Sequence, residues 1–125
     1  MLWLSSLSSG YKTIGCFKDT ANRAIQILEG KDSILDGSYT SRKNPIAKCA
    51  VAAARKEYKM FAVQNGGQCF SSATAPETFD KYGKSTACGS DGEGAAWANQ
   101  VYIIKGKTPV PWLAALSLNQ PFVLQ

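Results

Sequence analysis

Four cysteines, Cys16, Cys49, Cys69 and Cys88, constrain this chain more than any other feature. They are even in number and widely spread, and no two form a Cys-x-x-Cys pair. That spacing argues against a zinc knuckle or a thioredoxin-type redox motif. It suits a disulfide framework in an oxidising compartment, whereas four buried free thiols would suit a reducing one. Three pairings of four cysteines are open. The chain has no histidine. Ser-His-Asp and Cys-His nucleophiles, His-ligated zinc and imidazole pH switching are therefore excluded. A chain of 125 residues is expected to form one domain and to bury about two-thirds of its unfolded surface. With 45% hydrophobic and 18% charged residues it has a globular composition.

The formal net charge is +5, from 14 basic and 9 acidic residues. The basic residues are scattered; adjacent pairs occur only at Arg42 with Lys43 and at Arg55 with Lys56. A nucleic-acid partner would call for a concentrated basic face or arm, so none is expected. A mildly basic, solvated surface remains, with weak attraction for anionic partners such as sulfated glycans or acidic matrix proteins. Apolar runs are too short for a transmembrane helix. Residues 1–10 read as a leader or arm, too short and too poor in basic charge for a complete signal peptide. Residues 106–125 follow breakers at Gly106, Pro109 and Pro111. They read as an apolar C-terminal extension, an interaction or oligomerisation segment that would allow a homo-oligomer.

Between these ends, residues 11–105 read as the domain proper. Residues 11–17 mix aromatic, β-branched and small side chains and predict a strand. Residues 24–28 are a short apolar run, a second candidate strand. Residues 29–43 are a polar loop with Ile34 and Leu35 tucked in. Residues 45–58 predict the main helix, with Asn44 as N-cap and Pro45 at the first position. Alanines favour it, and Ile46, Cys49 and Ala53 share a stripe. Residues 59–64 predict a buried central strand, Asn65, Gly66 and Gly67 a turn, and residues 68–72 a returning strand. Residues 71–86 are a polar excursion pinned by Phe79 and Tyr82. Residues 89–94 form an acidic loop, and residues 97–104 a closing strand. The expected fold is α+β: a small disulfide-stabilised domain, one main helix packed on an antiparallel sheet, with long loops.

These segments resemble the WSC domain. Tyr11, Gly15, Cys16, Phe17 and Asp19 are similar to its opening pattern of Tyr, then Gly-Cys-aromatic-x-Asp. Lys48 with Cys49 opening a helix, then residues 58–63, resemble its helix and following strand. Residues 68–70 match its cysteine hairpin, and Cys88 through Tyr102 its closing segment. The resemblance covers about residues 11–104, and is nearest a four-cysteine variant found in extracellular and skeletal-matrix proteins of marine invertebrates. Family members usually carry eight cysteines. Here Ala53 and Ser71 stand where two mutually bonded family cysteines would be, and Gly92 lies near a third missing site. One whole bridge is thus deleted. The resemblance implies the pairings Cys16–Cys88 and Cys49–Cys69.

It also implies an extracellular, secreted module that binds carbohydrate. Sugar recognition needs an aromatic platform for CH faces and amides or carboxylates for hydroxyls. Gln64, Asn65 and Gln68 surround one hairpin; Asp91, Trp97 and Asn99 lie near the last cysteine. If the hairpin abuts that loop, these six converge as a ligand-binding edge. Tyr39 is a further exposed-aromatic candidate. No catalytic residue, cofactor or metal is expected. The loop carboxylates have no evident partner across a cleft, so hydrolase chemistry is disfavoured. Asp91 and Glu93 fall short of a calcium loop, which spreads its ligands over a longer span. The competing expectation is a structural or adhesive matrix protein that assembles through residues 106–125.

Overall fold

The computed structural model describes residues 10–105. Most of the expected leader, and the whole C-terminal extension with its assembly role, lie outside the described residues. Within them, four strands form one antiparallel sheet: β1 (Tyr11–Lys18), β2 (Met60–Gln64), β3 (Gln68–Ser71) and β4 (Ala98–Ile104), in the order β1-β4-β2-β3. The main helix, α1 (Pro45–Arg55), packs on one face; a short helix, α2 (Ala75–Thr78), lies on the other. The fold is the expected α+β arrangement.

Strand β2 explains the organisation. All five of its residues are buried. Alternate side chains of a strand point to opposite faces. Phe61 and Val63 join Cys49, Ala50, Ala52, Ala53, Leu28 and Leu35 under the helix. Met60 and Ala62 join Phe17, Ile25, Phe70 and Val101 on the opposite face. A strand covered on both sides reads as a continuous apolar run rather than an alternating one. Small residues on α1 let helix and sheet approach closely.

Both ends of α1 depart from expectation. Asn44 occupies the N-cap position, but its backbone is left-handed (φ 52°) and its side chain makes no cap hydrogen bond. Pro45 disfavours the right-handed α region for the residue before it, and Asn tolerates the left-handed one. The helix ends at Arg55, short of Tyr58. Glu57 adopts φ 63°. The Glu57 N–H donates to the Ala54 carbonyl (2.9 Å) and the Tyr58 N–H to the Ala53 carbonyl (3.0 Å). This is a Schellman C-cap with glutamate where glycine is usual, and it turns the chain into β2.

Residues 24–28 do not form a strand. One bridge, Ile27 to Phe70, flanked by Leu28 N–H to Cys69 O and Ser71 N–H to Gln26 O (both 2.9 Å), seals the outer edge of β3. Phe79 and Tyr82 pin the 71–86 excursion. Phe79 meets Phe17 edge-on at 5.0 Å, and the Tyr82 hydroxyl donates to the Asn22 carbonyl. The disulfides are Cys16–Cys88 and Cys49–Cys69, with Cα separations of 6.0 and 5.4 Å. The first closes most of the domain and the second staples α1 to β3. Ala53 and Ser71 are both buried; the Ser71 hydroxyl donates to the Met60 carbonyl at 2.6 Å.

Candidate functional site: an amide row linked to Trp97 through Arg23

One end of the sheet carries polar side chains where the rest is apolar. In register across it lie Asn99 on β4, Gln64 at the end of β2 and Gln68 at the start of β3. The Gln64 amide donates to Asn99 Oδ1 (2.7 Å) and to Asp19 Oδ2 (2.8 Å). Asp19 follows β1 directly. Its carboxylate also accepts from the Ala24 N–H and from Arg23 Nη1, both at 2.8 Å. A buried carboxylate is tolerated when it is paired and hydrogen-bonded in this way. Gln64 is 1% exposed and Asn99 fully buried, so these two candidates form the floor. The Nδ2 of Asn99 has no partner among the described residues.

The other candidates lie above or beside this floor. Asn65, exposed in the hairpin turn at φ 56°, donates to Gln68 Oε1 (3.0 Å) and more weakly to Gln64 Oε1 (3.4 Å). Trp97 does not belong to β4. Ala95 and Ala98 exchange hydrogen bonds around a two-residue turn, Ala96 and Trp97. Trp97 is 54% exposed and has φ 60°. The Arg23 guanidinium lies 5.2 Å from the Trp97 ring centroid and 5.2 Å from that of Phe70. It thereby links the exposed indole to Asp19 and the floor.

The acidic loop does abut the hairpin. The Gly66 N–H donates to the Glu93 carbonyl (3.1 Å). At Gly94 a Cβ would strike the carbonyl of Val63, that of Ala98 and the Cα of Gln64. Only glycine allows this approach, so the loop and the amide row share an edge. Asp91 turns back into its own loop and accepts from the Glu93 N–H (2.9 Å). Its side chain does not join the row. Burial, then the charge of Asp91, raises the carboxyl pKa of Glu93. Among the described residues, no three His, Cys, Asp or Glu side chains converge as a metal site. Tyr39 is half-buried, in a turn whose carbonyl presses on Gly67.

Asp19 and Arg23 were absent from the expected site. Asp19 was legible as the acid of the opening Gly-Cys-aromatic-x-Asp pattern. Arg23 had no signal, since its place depends on two rings brought together only by folding. A second buried pair anchors the hairpin from the 29–43 loop. Arg42 grips both Glu29 oxygens (2.7 and 2.8 Å) and the carbonyls of Gly67 and Leu35, tying the 29–43 loop to β3.

The chain is a small disulfide-stabilised α+β domain, cross-linked twice, whose exposed indole is joined through Arg23 and Asp19 to an ordered amide row. The sequence model of the WSC domain matches residues 13–98, and the chain belongs to that family. A comparison with curated proteins finds no match. Membership suggests, at family level, an extracellular or cell-surface carbohydrate-binding module. No helix among the described residues is long and apolar enough to cross a membrane.

Proposed function

We propose that this domain is a secreted, non-enzymatic, lectin-like module that holds glycan at the Trp97 edge. The observation that carries the reading is Trp97 itself. A large aromatic side chain stands more than half exposed on a backbone conformation suited to glycine. Backbone preference does not explain a tryptophan there, and the Arg23 contact still leaves the side chain more than half exposed. An indole face offered to the CH face of a sugar ring accounts for it. Asn65 and Gln68, at the same end of the sheet, supply donors and acceptors. Gln64, Asn99 and Asp19 hold those groups and Arg23 in place. Three carboxylates are committed to ion pairs, which supports a binding rather than a hydrolytic role: Asp19, Glu29 and Asp32 each accept from an arginine. A shallow, wet edge gives weak single-site affinity, so strong attachment needs several copies.

The test is a glycan array of the oxidised protein, followed by titration of any neutral hit with Trp97→Gly and Gln68→Ala. Loss of roughly tenfold or more in affinity for Trp97→Gly, with the fold intact, is expected for a lost stacking platform. Unchanged binding by Trp97→Gly, or no neutral glycan bound even by multivalently displayed protein, would overturn the reading.

A further inference from the structure

A second recess lies at the far end of β3 from Gln68. It is a cleft of about 340 Å³ where the C-terminal turn of α1 faces the strip that seals β3. Gln26, Ile27, Lys31, Lys56, Tyr58 and Ser72 line it. Its walls are held firmly. Hydrogen bonds from Leu28 and to Gln26 fix the strip to β3. The Arg55–Asp32 ion pair (2.8 Å) and the Arg42–Glu29 pair fix the loop that carries Lys31. The Schellman cap fixes the backbone at Lys56.

The same pairings leave the cleft cationic. Arg55 and Arg42 engage Asp32 and Glu29, the neighbouring acids. Among the described residues, neither Lys31 nor Lys56 has a carboxylate within 4.0 Å. Glu57 is next in sequence, but the left-handed turn leaves it outside the lining. Ile27, 38% exposed, and the Tyr58 ring add an apolar wall. Gln26 and Ser72 add an amide and a hydroxyl. The volume is at the small end for ligand pockets and suits one ring rather than a long chain.

We propose that this cleft binds a single sugar unit bearing a carboxylate or a sulfate. Lys31 and Lys56 hold the anionic group, and Ile27 and Tyr58 take the CH face. This site is separate from the Trp97 edge and does not rest on it.

The test uses the oxidised full chain and three disaccharides: one sulfated, one containing a uronate, one neutral. Amide shifts on titration are expected to be saturable and to cluster at Gln26, Ile27, Tyr58 and Ser72 with an anionic sugar. The preferred anion tells sulfate from carboxylate. Lys31→Gln with Lys56→Gln should weaken that binding roughly tenfold, and removing equal charge with Lys12→Gln and Lys84→Gln by less than about twofold. Trp97→Gly should leave it unchanged, so this site and the Trp97 edge can fail separately. Equal weakening by both lysine pairs, shifts scattered over the basic surface, or no saturable shift would overturn the proposal.

Discussion

At φ 60° Trp97 holds a backbone conformation costing a non-glycine residue about 1 kcal/mol. Its ring recovers a comparable amount through the Arg23 guanidinium, at about 0.5–1 kcal/mol. Trp97→Gly should therefore leave stability within about 1 kcal/mol of the parent. Trp97→Ala, which loses the ring but keeps the strain, should be the less stable of the two by about 0.5–1 kcal/mol. Urea titration checks the order, and the reverse order would remove strain from the account. Tyr102 gives a pH signature. Burial first, then Tyr11, Asp91 and Glu93, pushes its phenol from the ordinary 10.0 up to about 12, and its hydroxyl donates to the Gly92 carbonyl. The unfolded chain ionises first, so stability is whole below about pH 10 and falls as pH climbs toward 12. Denaturation midpoints, read beside phenolate absorbance, should show this fall and lose part of it in Tyr102→Phe. At this scale residue type was legible and environment was not. Trp97 stood out as an aromatic near the last cysteine, but its apolar neighbours in 98–104 hid its exposure. Gln64 and Asn99 stood out as amides, but nothing local told that Gln64 would bridge Asn99 to Asp19.

Strands and helix were legible where one local cause dominates: alanines and proline for α1, the uninterrupted apolar run for β2. The C-terminus of α1 was not, because Glu57 carries no left-handed signal and the turn is imposed by the return into β2. Glu57→Gly should stabilise the domain by about 0.5–1 kcal/mol, read as a rise in thermal midpoint with the helix content unchanged. Residues 24–28 have strand composition yet make only one bridge, since their partner is an edge that sequence does not reveal. The deleted bridge is testable as well. The chain reverses from α1 into β2 and again into β3, so α1 and β3 run the same way. Ala53, one turn beyond Cys49, then lies alongside Ser71, two residues beyond Cys69. Ala53→Cys with Ser71→Cys should form a third disulfide. Loop closure offers up to about 3 kcal/mol, less about 1 kcal/mol for the lost Ser71 hydrogen bond. Two titratable thiols in the folded double variant would refute that alignment.

For the whole domain, the covalent frame carries a large share of stability. Loop-closure entropy assigns roughly 3 kcal/mol to Cys49–Cys69 and roughly 4.5 kcal/mol to Cys16–Cys88, before any strain. Domains of this size hold about 5–15 kcal/mol in total. Reduction should therefore abolish the cooperative unfolding transition or bring it close to zero denaturant. A reduced protein with an unchanged midpoint would show that the core suffices. The α+β class was legible from local helix and strand patterns, whereas the pairing of the long-range links was implied by the family pattern. One further consequence follows from β1 and β4 lying side by side, with Tyr11 opposite Ile104. Tension applied at those two residues would peel the pair apart one hydrogen bond at a time rather than shear it. The peeling would stop at Cys16. With the Cys16–Cys88 bond closed, the taut path between them is roughly 75 Å; with both disulfides open, roughly 300 Å. The domain is thus a short-travel mechanical fuse whose stop is set by redox state.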